Sequence, residues 1–467
     1  MDLGQGTFGP DLALGSAPVR ELLDSTTRSL RRIALGKQRE GRVPGLYAAV
    51  SHGGDVVWGD GIGVADVGGD RTPTADDQFL VASNTKTFTA VMVMMLRDEG
   101  RLGLDDLLGD HLPEVSHPIT IRQCLAHVSG MAREPLGDVW ETLEQPDSKT
   151  LRRDFDDVER ILRPHERWHY SNVVYAMLGE LVAELDGRSW EESLSARLLD
   201  PLELRRTSVG FDGGPHATGY YVAPHDDVPR VEPVMDLKAM AACGGLASTA
   251  SDLARWSAFV ADPSSLMSAD TLEEMCQPQI LLNTEAWTGA MGLGFFLMRS
   301  PTGRTWVGHT GGMPGHITGV FTHRESGTGG IVLMNATVTP SPDAFAIQLA
   351  DHVVEHDPVE DEVWRPGTVV PDELQGLLGR WFSEGHPFVL TVRDGTLEAR
   401  IDLPSAQAMP PSVFEKVGDD LYRTVSGRER GELLRVTRAA DGTVTKLNWA
   451  TYLFTREPLA FGENLNG

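Results

Sequence analysis

The chain has 467 residues, of which 41% are hydrophobic and 23% are charged, and its formal net charge is −26. This length predicts two domains, and the composition is that of a soluble protein, because no run approaches the 18 apolar residues of a membrane span. The excess of acidic residues disfavours nucleic acids and anionic membrane surfaces, so we expect neither as a partner.

The first residues give little structural information. Residues 1–17 are glycine-rich and irregular, and Met1 to Gly6 lack the basic and apolar stretches of a signal peptide. We therefore expect a cytoplasmic location. The three cysteines, Cys124, Cys243 and Cys276, have no paired spacing, which favours small core residues over a disulfide framework.

The chain from Pro18 begins with clear periodic patterns. Apolar spacing predicts an amphipathic helix that ends near Gly36 or Arg39. Two β-rich runs, 46–51 and 56–59, flank a Gly-Gly turn and predict a hairpin. Further elements are then predicted in this order: a buried helix after Ser83 that continues to Leu96, a loop over 102–112, a short helix over 119–126, surface helices and loops over 132–166, helices over 173–185 and 189–199, a glycine turn and a capped helix within 240–256, strands over 292–297, 305–308, 319–322 and 330–334, and a helix over 344–354.

This order predicts one α+β domain over residues 18–355. Strands from its two ends can pair antiparallel into one sheet flanked by helices, and the helical middle then forms a subdomain with a cleft beside the sheet. Residues 356–371 are acidic and rich in proline and glycine, as in a linker. Beyond them, Asp394-Gly395 and Asp441-Gly442 each lie between alternating apolar runs, which indicates hairpins. We expect residues 372–467 to form a second, small all-β domain, a barrel.

The first motif with chemical meaning is Ser83 with Lys86. Residues three apart share a face of a helix, so the lysine amine can lie beside the serine hydroxyl. Serine is a weak nucleophile until a neighbouring group takes or attracts its proton, and a lysine can do that. A serine at the start of a buried helix can also be only an N-cap.

Two other motifs could supply the partners of this pair. Tyr170 could relay the proton of the nucleophile, and the Asn172 amide could hold both Lys86 and a substrate carbonyl; the alternative is a helix N-cap at Ser171 or Asn172.

Downstream, His309, Gly311 and Gly312 follow a strand that ends in small residues, and such a strand lets a substrate backbone lie alongside it. The backbone N–H of Gly312, together with that of Ser83, could form an oxyanion hole. The alternative is a glycine-rich turn with a surface histidine.

Taken in this order, the three motifs resemble those of the serine β-lactamase and penicillin-binding-protein superfamily. S-x-x-K matches Ser83 to Lys86, Y-x-N matches Tyr170 to Asn172, and H-x-G matches His309 to Gly311. The resemblance is to the branch with class C β-lactamases, D-aminopeptidases and β-lactamase-like carboxylesterases, and it covers roughly residues 20–355. Residues 372–457 more weakly resemble the lipocalin-like domain attached to some members. Supporting stretches are Leu125 to Met131, Gly244 to Asp252 and Gly308 to His316.

The resemblance implies a β-lactamase/transpeptidase-like sheet and a role for each motif residue. Ser83 would be the acyl-accepting nucleophile, Lys86 and Tyr170 the proton-handling pair, and Asn172 a substrate anchor. His309 stands where penicillin-processing members usually carry lysine, and it is only partly charged near neutral pH. It is therefore a poorer anchor for a substrate carboxylate, which favours an esterase, amidase or peptidase over an efficient β-lactamase. We expect small ester, amide or peptide substrates, some with D-residues, and no cofactor.

A competing motif lies directly upstream of Tyr170. Residues 165–169, His-Glu-Arg-Trp-His, satisfy H-E-x-x-H, a zinc-protease signature when it lies within a helix. Pro164 precedes this motif and Tyr170 follows it, so a helix there would have to stop within a residue or two. The position of Glu166 relative to Tyr170 also differs from that of a deacylating glutamate. We expect no metal site, and a zinc hydrolase stays as an alternative.

Two further alternatives share the predicted fold. Water and an amine compete for the same acyl-enzyme, so a penicillin-binding-protein-type thioesterase that cyclises peptides would look similar in layout. A non-catalytic ligand-binding protein would keep the fold without the chemistry, although all three motifs are intact. The sequence leaves the oligomeric state open.

Overall fold

The structure is a computed structural model that describes residues 20–263, 266–359, 363–364, 369–406, 409–460 and 463. The predicted irregular segment, residues 1–17, lies outside the described residues, as do residues 360–362 and 365–368 of the predicted linker. The chain divides into two compact units between residues 359 and 360, a point that falls inside the predicted linker, 356–371.

The strands of the first unit are, in chain order, β1 (Gly45–His52), β2 (Asp55–Gly63), β3 (Phe79–Leu80), β4 (Ser208–Val209), β5 (Tyr220–Val222), β6 (Pro229–Val231), β7 (Leu246–Ser248), β8 (Ile280–Leu281), β9 (Gly289–Met291), β10 (Phe296–Arg299), β11 (Thr305–Met313), β12 (His316–His323) and β13 (Thr328–Met334). Eight of them form one antiparallel sheet in the order β2-β1-β13-β12-β11-β10-β9-β8. β1 pairs with β13, for example Ala48 with Val332, so strands from the two ends of the unit are neighbours, which confirms the predicted pairing.

The helices of the first unit are α1 (Asp24–Gly41), α2 (Thr85–Asp98), α3 (Leu108–His111), α4 (Ile121–Leu125), α5 (Val139–Thr142), α6 (Ser148–Asp154), α7 (Asn172–Asp186), α8 (Trp190–Leu194), α9 (Ala241–Gly244), α10 (Ala250–Ala261), α11 (Ala269–Met275) and α12 (Pro342–His356). Short 3-10 turns cover Ala82–Asn84, Phe155–Asp157 and Lys238–Met240, and a π-helical turn, Ser195–Leu199, follows α8.

Alternation along β1 assigns the two faces of the sheet to two hydrophobic cores. Leu46, Ala48 and Val50 pack into a core that α1 and α12 cover on one face. Tyr47 and Ala49 point into the larger core on the other face, to which α2, α7 and α10 each contribute several buried apolar side chains. The α+β fold with helices on both sides of an antiparallel sheet is therefore confirmed.

Local departures from the predicted elements have local causes. Residues 102–112 contain the short helix α3, because Asp110 accepts a hydrogen bond at 2.8 Å from the Leu107 N–H and closes its first turn. Of the strand predicted over 292–297, only residues 296 and 297 are extended, as the start of β10, and residues 292–295 form a turn between β9 and β10. Gly294 in this turn has a φ of +92°, which lies in the left-handed region that favours glycine.

The second unit is an antiparallel meander. It contains α13 (Asp372–Gln375), β14 (Gly379–Ser383), β15 (His386–Arg393), β16 (Thr396–Ile401), a 3-10 turn (Pro404–Ala406), β17 (Ser412–Gly418), β18 (Leu421–Ser426), β19 (Leu433–Arg438), β20 (Val444–Trp449) and β21 (Tyr452–Phe454). Its eight strands follow one another in chain order. Phe382 and Thr455 then exchange two backbone hydrogen bonds and nearly close the sheet into a barrel around Trp381 and Trp449. The predicted small barrel is confirmed, and both predicted hairpin turns join neighbouring strands.

Among the described residues of both units, no helix combines the length and the apolar character needed to cross a membrane.

Candidate active site

Ser83 lies in the 3-10 turn that leads into α2. Its neighbours Ala82 and Asn84 are buried, whereas Ser83 itself is half-buried and open to a reactant. Ala82 has a φ of +47°, an uncommon conformation for a residue with a Cβ, and such strain persists only where the surroundings fix it. Asn84 supplies part of that fixation, because its side-chain amide donates to Val81 O at 3.0 Å and to Thr318 Oγ1 at 2.9 Å.

The N-cap alternative does not apply to Ser83. The residue at the N-cap of α2 is Asn84, and no side chain caps this end. The Ser83 hydroxyl instead lies 3.2 Å from the Lys86 amine, as the spacing of the two residues predicts.

Lys86 is fully buried, and its amine has three acceptors. Nζ lies 3.2 Å from Ser83 Oγ, 2.8 Å from Asn172 Oδ1 and 2.6 Å from the Cys243 carbonyl oxygen. The three contacts match the three hydrogens of an ammonium group. They fix the amine beside the hydroxyl and join α2, α7 and α9 at one point.

Tyr170 and Asn172 lie on either side of Ser171, the residue that caps α7. Ser171 caps α7, since its Oγ accepts from the Val174 N–H, so the capping alternative holds for Ser171. The Tyr170 ring centroid lies 4.8 Å from Lys86 Nζ, and its buried hydroxyl oxygen has no hydrogen-bond partner among the described residues. Such an unpaired, buried hydroxyl is typical of a site where a reactant or water completes the network.

The Asn172 amide is held in one orientation. Its Oδ1 accepts from Lys86, and its Nδ2 donates to Glu134 Oε1 at 2.7 Å. An ammonium group only donates and a carboxylate only accepts, so the two partners exclude the flipped amide. One amide hydrogen of Asn172 remains for another acceptor.

The third motif lies within a strand and not in a turn. β11 continues from Thr305 through His309 and Gly311 to Met313, paired with β12, so the prediction that the strand ends near residue 308 is wrong. Gly311 approaches the turn that carries Ser83 so closely that a Cβ would lie 2.0 Å from Val81 O. Glycine is needed here to bring β11 against that turn.

His309 is buried, and the alternative of a surface histidine is wrong. Its side chain is 1% exposed, and its ring centroid lies 6.1 Å from that of Tyr170. Burial, and then the nearby charge of Lys86, lower the pKa of His309 to about 3. The expectation that it is partly charged near neutral pH is therefore wrong, because a buried imidazole with this pKa is neutral there.

The neutral ring of His309 has one defined tautomer. Nδ1 lies 2.5 Å from the Thr310 carbonyl oxygen, which can only accept, so Nδ1 carries the proton. Nε2 is then an acceptor, and it is buried without a partner among the described residues.

The structure places three residues at the site to which the sequence analysis assigns no function there. His127 contacts Tyr170, Glu134 holds Asn172, and the carbonyl of Cys243 accepts from Lys86. His127 lies in a stretch that resembles the superfamily and Cys243 lies beside one, so the sequence indicated the part of the chain in which each is found. No sequence feature indicated Glu134, because residues 132–166 are predicted only as surface helices and loops.

The H-E-x-x-H motif does not form the helix that it needs. Residues 165–169 are irregular, His165 has a φ of +58°, and Glu166 pairs with Arg163 at 3.1 Å. Within the described ranges, no group of three or more histidine, cysteine, aspartate or glutamate side chains is placed to hold a metal ion. The zinc alternative thus lacks its structural basis at this motif.

Comparison with known proteins gives a consistent result. The family model described as Beta-lactamase matches residues 23–355, and a model described as a domain of unknown function (DUF7586) matches residues 370–456. Penicillin-binding protein 4* of Bacillus subtilis (strain 168) is 26% identical over 335 residues, which cover 66% of this chain and 72% of that protein.

Two solved structures show the fold. The octameric penicillin-binding protein homologue from Pyrococcus abyssi has a TM-score of 0.63 at 24% identity, covering 93% of this chain and 100% of that one. The D-stereospecific amidohydrolase from Streptomyces sp. has a TM-score of 0.59 at 24% identity, covering 70% of this chain and 98% of that one.

Proposed function

This chain belongs to the Beta-lactamase family of serine hydrolases, and from that premise we propose that it cleaves small esters, amides or peptides through an acyl-enzyme on Ser83. The observation that carries the proposal is the position of the Lys86 amine, held between Ser83 Oγ, Asn172 Oδ1 and Cys243 O. The serine has an activating group within hydrogen-bond distance, and that group is oriented by a third residue, as nucleophilic catalysis requires.

The first chemical step follows from these contacts. When Lys86 is neutral, its two N–H groups stay on Asn172 and Cys243, and its lone pair faces the Ser83 hydroxyl. The serine oxygen attacks the substrate carbonyl carbon while its proton passes to Lys86, directly or through the Tyr170 hydroxyl. The same proton then goes to the leaving alcohol or amine as the bond to it breaks, which leaves the acyl group on Ser83.

Deacylation completes the cycle. A water molecule attacks the acyl carbon and gives its proton to the same pair, which returns a proton to Ser83 Oγ as the bond between Oγ and the acyl carbon breaks, so that the acid and the free serine are released. We assign the developing oxyanion to the backbone N–H groups of Ser83 and Gly312, which lie on the two elements that Gly311 brings together. The free amide hydrogen of Asn172 would hold a carbonyl of the substrate.

The state of His309 supports the choice of substrate class. A neutral imidazole cannot pair with a substrate carboxylate, whereas the lysine usual in penicillin-processing members can. Its Nε2 is buried and unprotonated, so it adds an acceptor beside Tyr170 and no positive charge. This favours ester, amide or peptide substrates over efficient β-lactam hydrolysis. A structural neighbour named as a D-stereospecific amidohydrolase supports D-residues among them.

The test is covalent labelling with a fluorophosphonate probe. The wild-type protein should be labelled and should hydrolyse an aryl ester, and Ser83→Ala should lose both activities. Ser25→Ala, at an exposed position of α1, is the matched control and should keep both. Equal labelling of Ser83→Ala and the wild-type protein would contradict the serine mechanism, and the absence of labelling and hydrolysis in both would favour a non-catalytic binding protein.

Product analysis separates hydrolysis from acyl transfer. A peptidyl thioester with a free N-terminal amine should yield the linear free acid if water is the acceptor. A macrocyclic product would instead identify the amine as the acceptor, on the same acyl-enzyme.

A further inference from the structure

His127 contacts the segment around Tyr170 in three ways. Its carbonyl oxygen accepts from the His169 N–H at 2.9 Å, and its ring Nδ1 accepts from the Ser171 N–H at 3.0 Å. Its ring also stacks on the Tyr170 ring, with centroids 4.2 Å apart and planes inclined by 27°. His127 thus holds the residues on both sides of Tyr170 through its backbone carbonyl and its ring nitrogen, and its ring packs on one face of the phenol.

The backbone of His127 has an uncommon conformation. Its φ is +55°, in the left-handed region, which is uncommon for residues other than glycine, although histidine adopts it more often than most. Such a conformation costs on the order of 1–3 kcal/mol and persists only where surrounding contacts over-determine it. The side chain is completely buried between Tyr170 and Tyr175, whose ring centroid lies 4.8 Å away.

The ring of His127 must be neutral to make its contact. Nδ1 can accept from Ser171 only when the proton is on Nε2, because an imidazolium donates from both nitrogens. Burial, and then the charge of Lys86, hold the pKa of His127 well below its ordinary value. The burial of the ring therefore favours the neutral form that accepts from Ser171.

We infer that His127 is a positioning residue that fixes the Tyr170 phenol beside Lys86, where it relays the proton of Ser83. This inference rests on the proposed function and extends it to a residue that touches neither substrate nor nucleophile. Without Nδ1, the buried Ser171 N–H would lose its partner and the segment 169–171 would loosen. A displacement of about 1 Å in a catalytic group can cost about 10²-fold in rate.

Two substitutions separate the hydrogen bond from the stacked ring. His127→Asn keeps an acceptor close to the position of Nδ1 and removes the ring, and His127→Gly removes both. Asparagine and glycine both adopt the left-handed backbone, so neither variant carries the strain of an alanine. We expect kcat for an aryl ester to fall by about 10-fold in His127→Asn and by about 10²-fold in His127→Gly, with little change in KM. For each variant, kcat is expressed per site that the fluorophosphonate labels.

A double-mutant cycle distinguishes positioning from general support of the fold. If His127 acts through Tyr170, His127→Asn should lower kcat per labelled site in the wild-type background but by less than about 2-fold in a Tyr170→Phe background. The acid or alkaline limb of the kcat–pH profile should also move in His127→Asn, which a mere loss of folded protein would not cause.

Three results would overturn the inference: wild-type kcat per labelled site in His127→Asn and His127→Gly, an equal loss in both backgrounds of the cycle, or an unmoved pH profile. If His127→Gly does not fold, His127→Asn and the cycle carry the test alone. Labelling of Ser83→Ala would refute the proposed function instead, so the two failures are distinguishable.

Discussion

At the scale of single residues, Asn172 shows how charge fixes a neutral group. Its amide lies between Lys86, a donor, and Glu134, an acceptor, and neither partner tolerates the flipped orientation. Arg133 lies beside this pair, with its guanidinium 4.9 Å from the Tyr170 ring centroid and 3.5 Å from Glu134. The carboxylate therefore orients an amide that in turn orients the Lys86 amine.

Removal of Glu134 should release that amide. In Glu134→Ala, Asn172 can flip and present its NH₂ group to Lys86, so we expect kcat/KM for an aryl ester to fall by about 10–10²-fold, the worth of a hydrogen bond to a charged group. Glu134→Gln is the matched variant, because its side-chain oxygen can still accept from Asn172, and it should stay within about 3-fold of the wild-type protein. Equal rates for Glu134→Ala and the wild-type protein would refute the role of this carboxylate.

The residues of the site differ in how far the sequence could predict them. Ser83 and Lys86 are three residues apart on a helix, so helical geometry alone predicts their contact. Glu134 and His127 lie 38 and 44 residues before the atoms that they bind, and no local pattern encodes such pairs. The neutral state of His309 depends on burial, which appears only when β11 packs into the sheet.

At the scale of elements, the close approach of β11 to the turn before α2 builds the site. Gly311→Ala would place a Cβ 2.0 Å from Val81 O and 2.6 Å from Thr318 Oγ1. Because a backbone oxygen cannot move aside, the strand must shift away from Ser83. We expect a loss of about 1–3 kcal/mol in the free energy of unfolding and at least a 10²-fold loss of ester hydrolysis.

The matched control for this substitution is Gly36→Ala in α1. Gly36 is exposed, and a Cβ there would meet nothing within 4 Å. The added methyl group should raise the free energy of unfolding by about 0.5–1 kcal/mol and leave hydrolysis unchanged. Urea unfolding and an ester assay measure both proteins, and retention of wild-type hydrolysis in Gly311→Ala would show that the approach of β11 is unimportant.

The same strand explains a limit of prediction at this scale. Three glycines within five residues, 308–312, are typical of a turn, so the sequence predicted that the strand ends near residue 308 and left a turn as the alternative. In the structure, β12 pairs with this segment through Met313, so tertiary hydrogen bonds override the local preference. Hairpins with short turns, such as β1–β2 and β15–β16, were predicted correctly because their pairing is local.

At the scale of the whole molecule, the fold class was predictable because it depends on element order. The order of helix, hairpin, helical middle, strands and helix leaves few ways to bury every apolar face. The edge strand β8 and its neighbour β9 were not predicted, since two or three residues carry too short a pattern to be periodic. The alternating apolar runs and hairpin turns after residue 371 predicted the barrel of the second unit.

One whole-molecule property follows from three buried histidines of the first unit. Burial lowers the pKa of His309 and of His316 to about 3, and that of His127 lies well below its ordinary value. Between pH 6.5 and pH 3, the unfolded chain binds a proton on the rings of His309 and His316 and the folded chain does not, and the shift of His127 acts in the same direction. The free energy of unfolding is therefore undiminished by these groups above pH 6.5 and falls as the pH decreases, by about 2 kcal/mol at pH 5 for each of His309 and His316.

Two buried carboxyl groups oppose this trend. Burial raises the pKa of Glu180 and of Asp252, so their contribution to stability increases as the pH falls. A single substitution isolates one histidine from the sum. The buried ring of His316 contacts Phe79 and Phe211, and His316→Asn removes one group that must stay neutral. We expect the difference in free energy of unfolding between pH 7 and pH 5 to shrink by about 2 kcal/mol.

Urea unfolding followed by hydrogen exchange of α2 peptides reports the first unit alone and gives this difference at each pH. The comparison uses the change with pH and not the absolute stability, because loss of the ring at residue 316 lowers stability at every pH. His165→Asn, at an exposed residue with a φ of +58° that asparagine adopts readily, is the matched control and should keep the wild-type dependence. An unchanged pH dependence in His316→Asn would mean that this ring binds a proton equally well in the folded and unfolded chain, against the burial that the structure gives it.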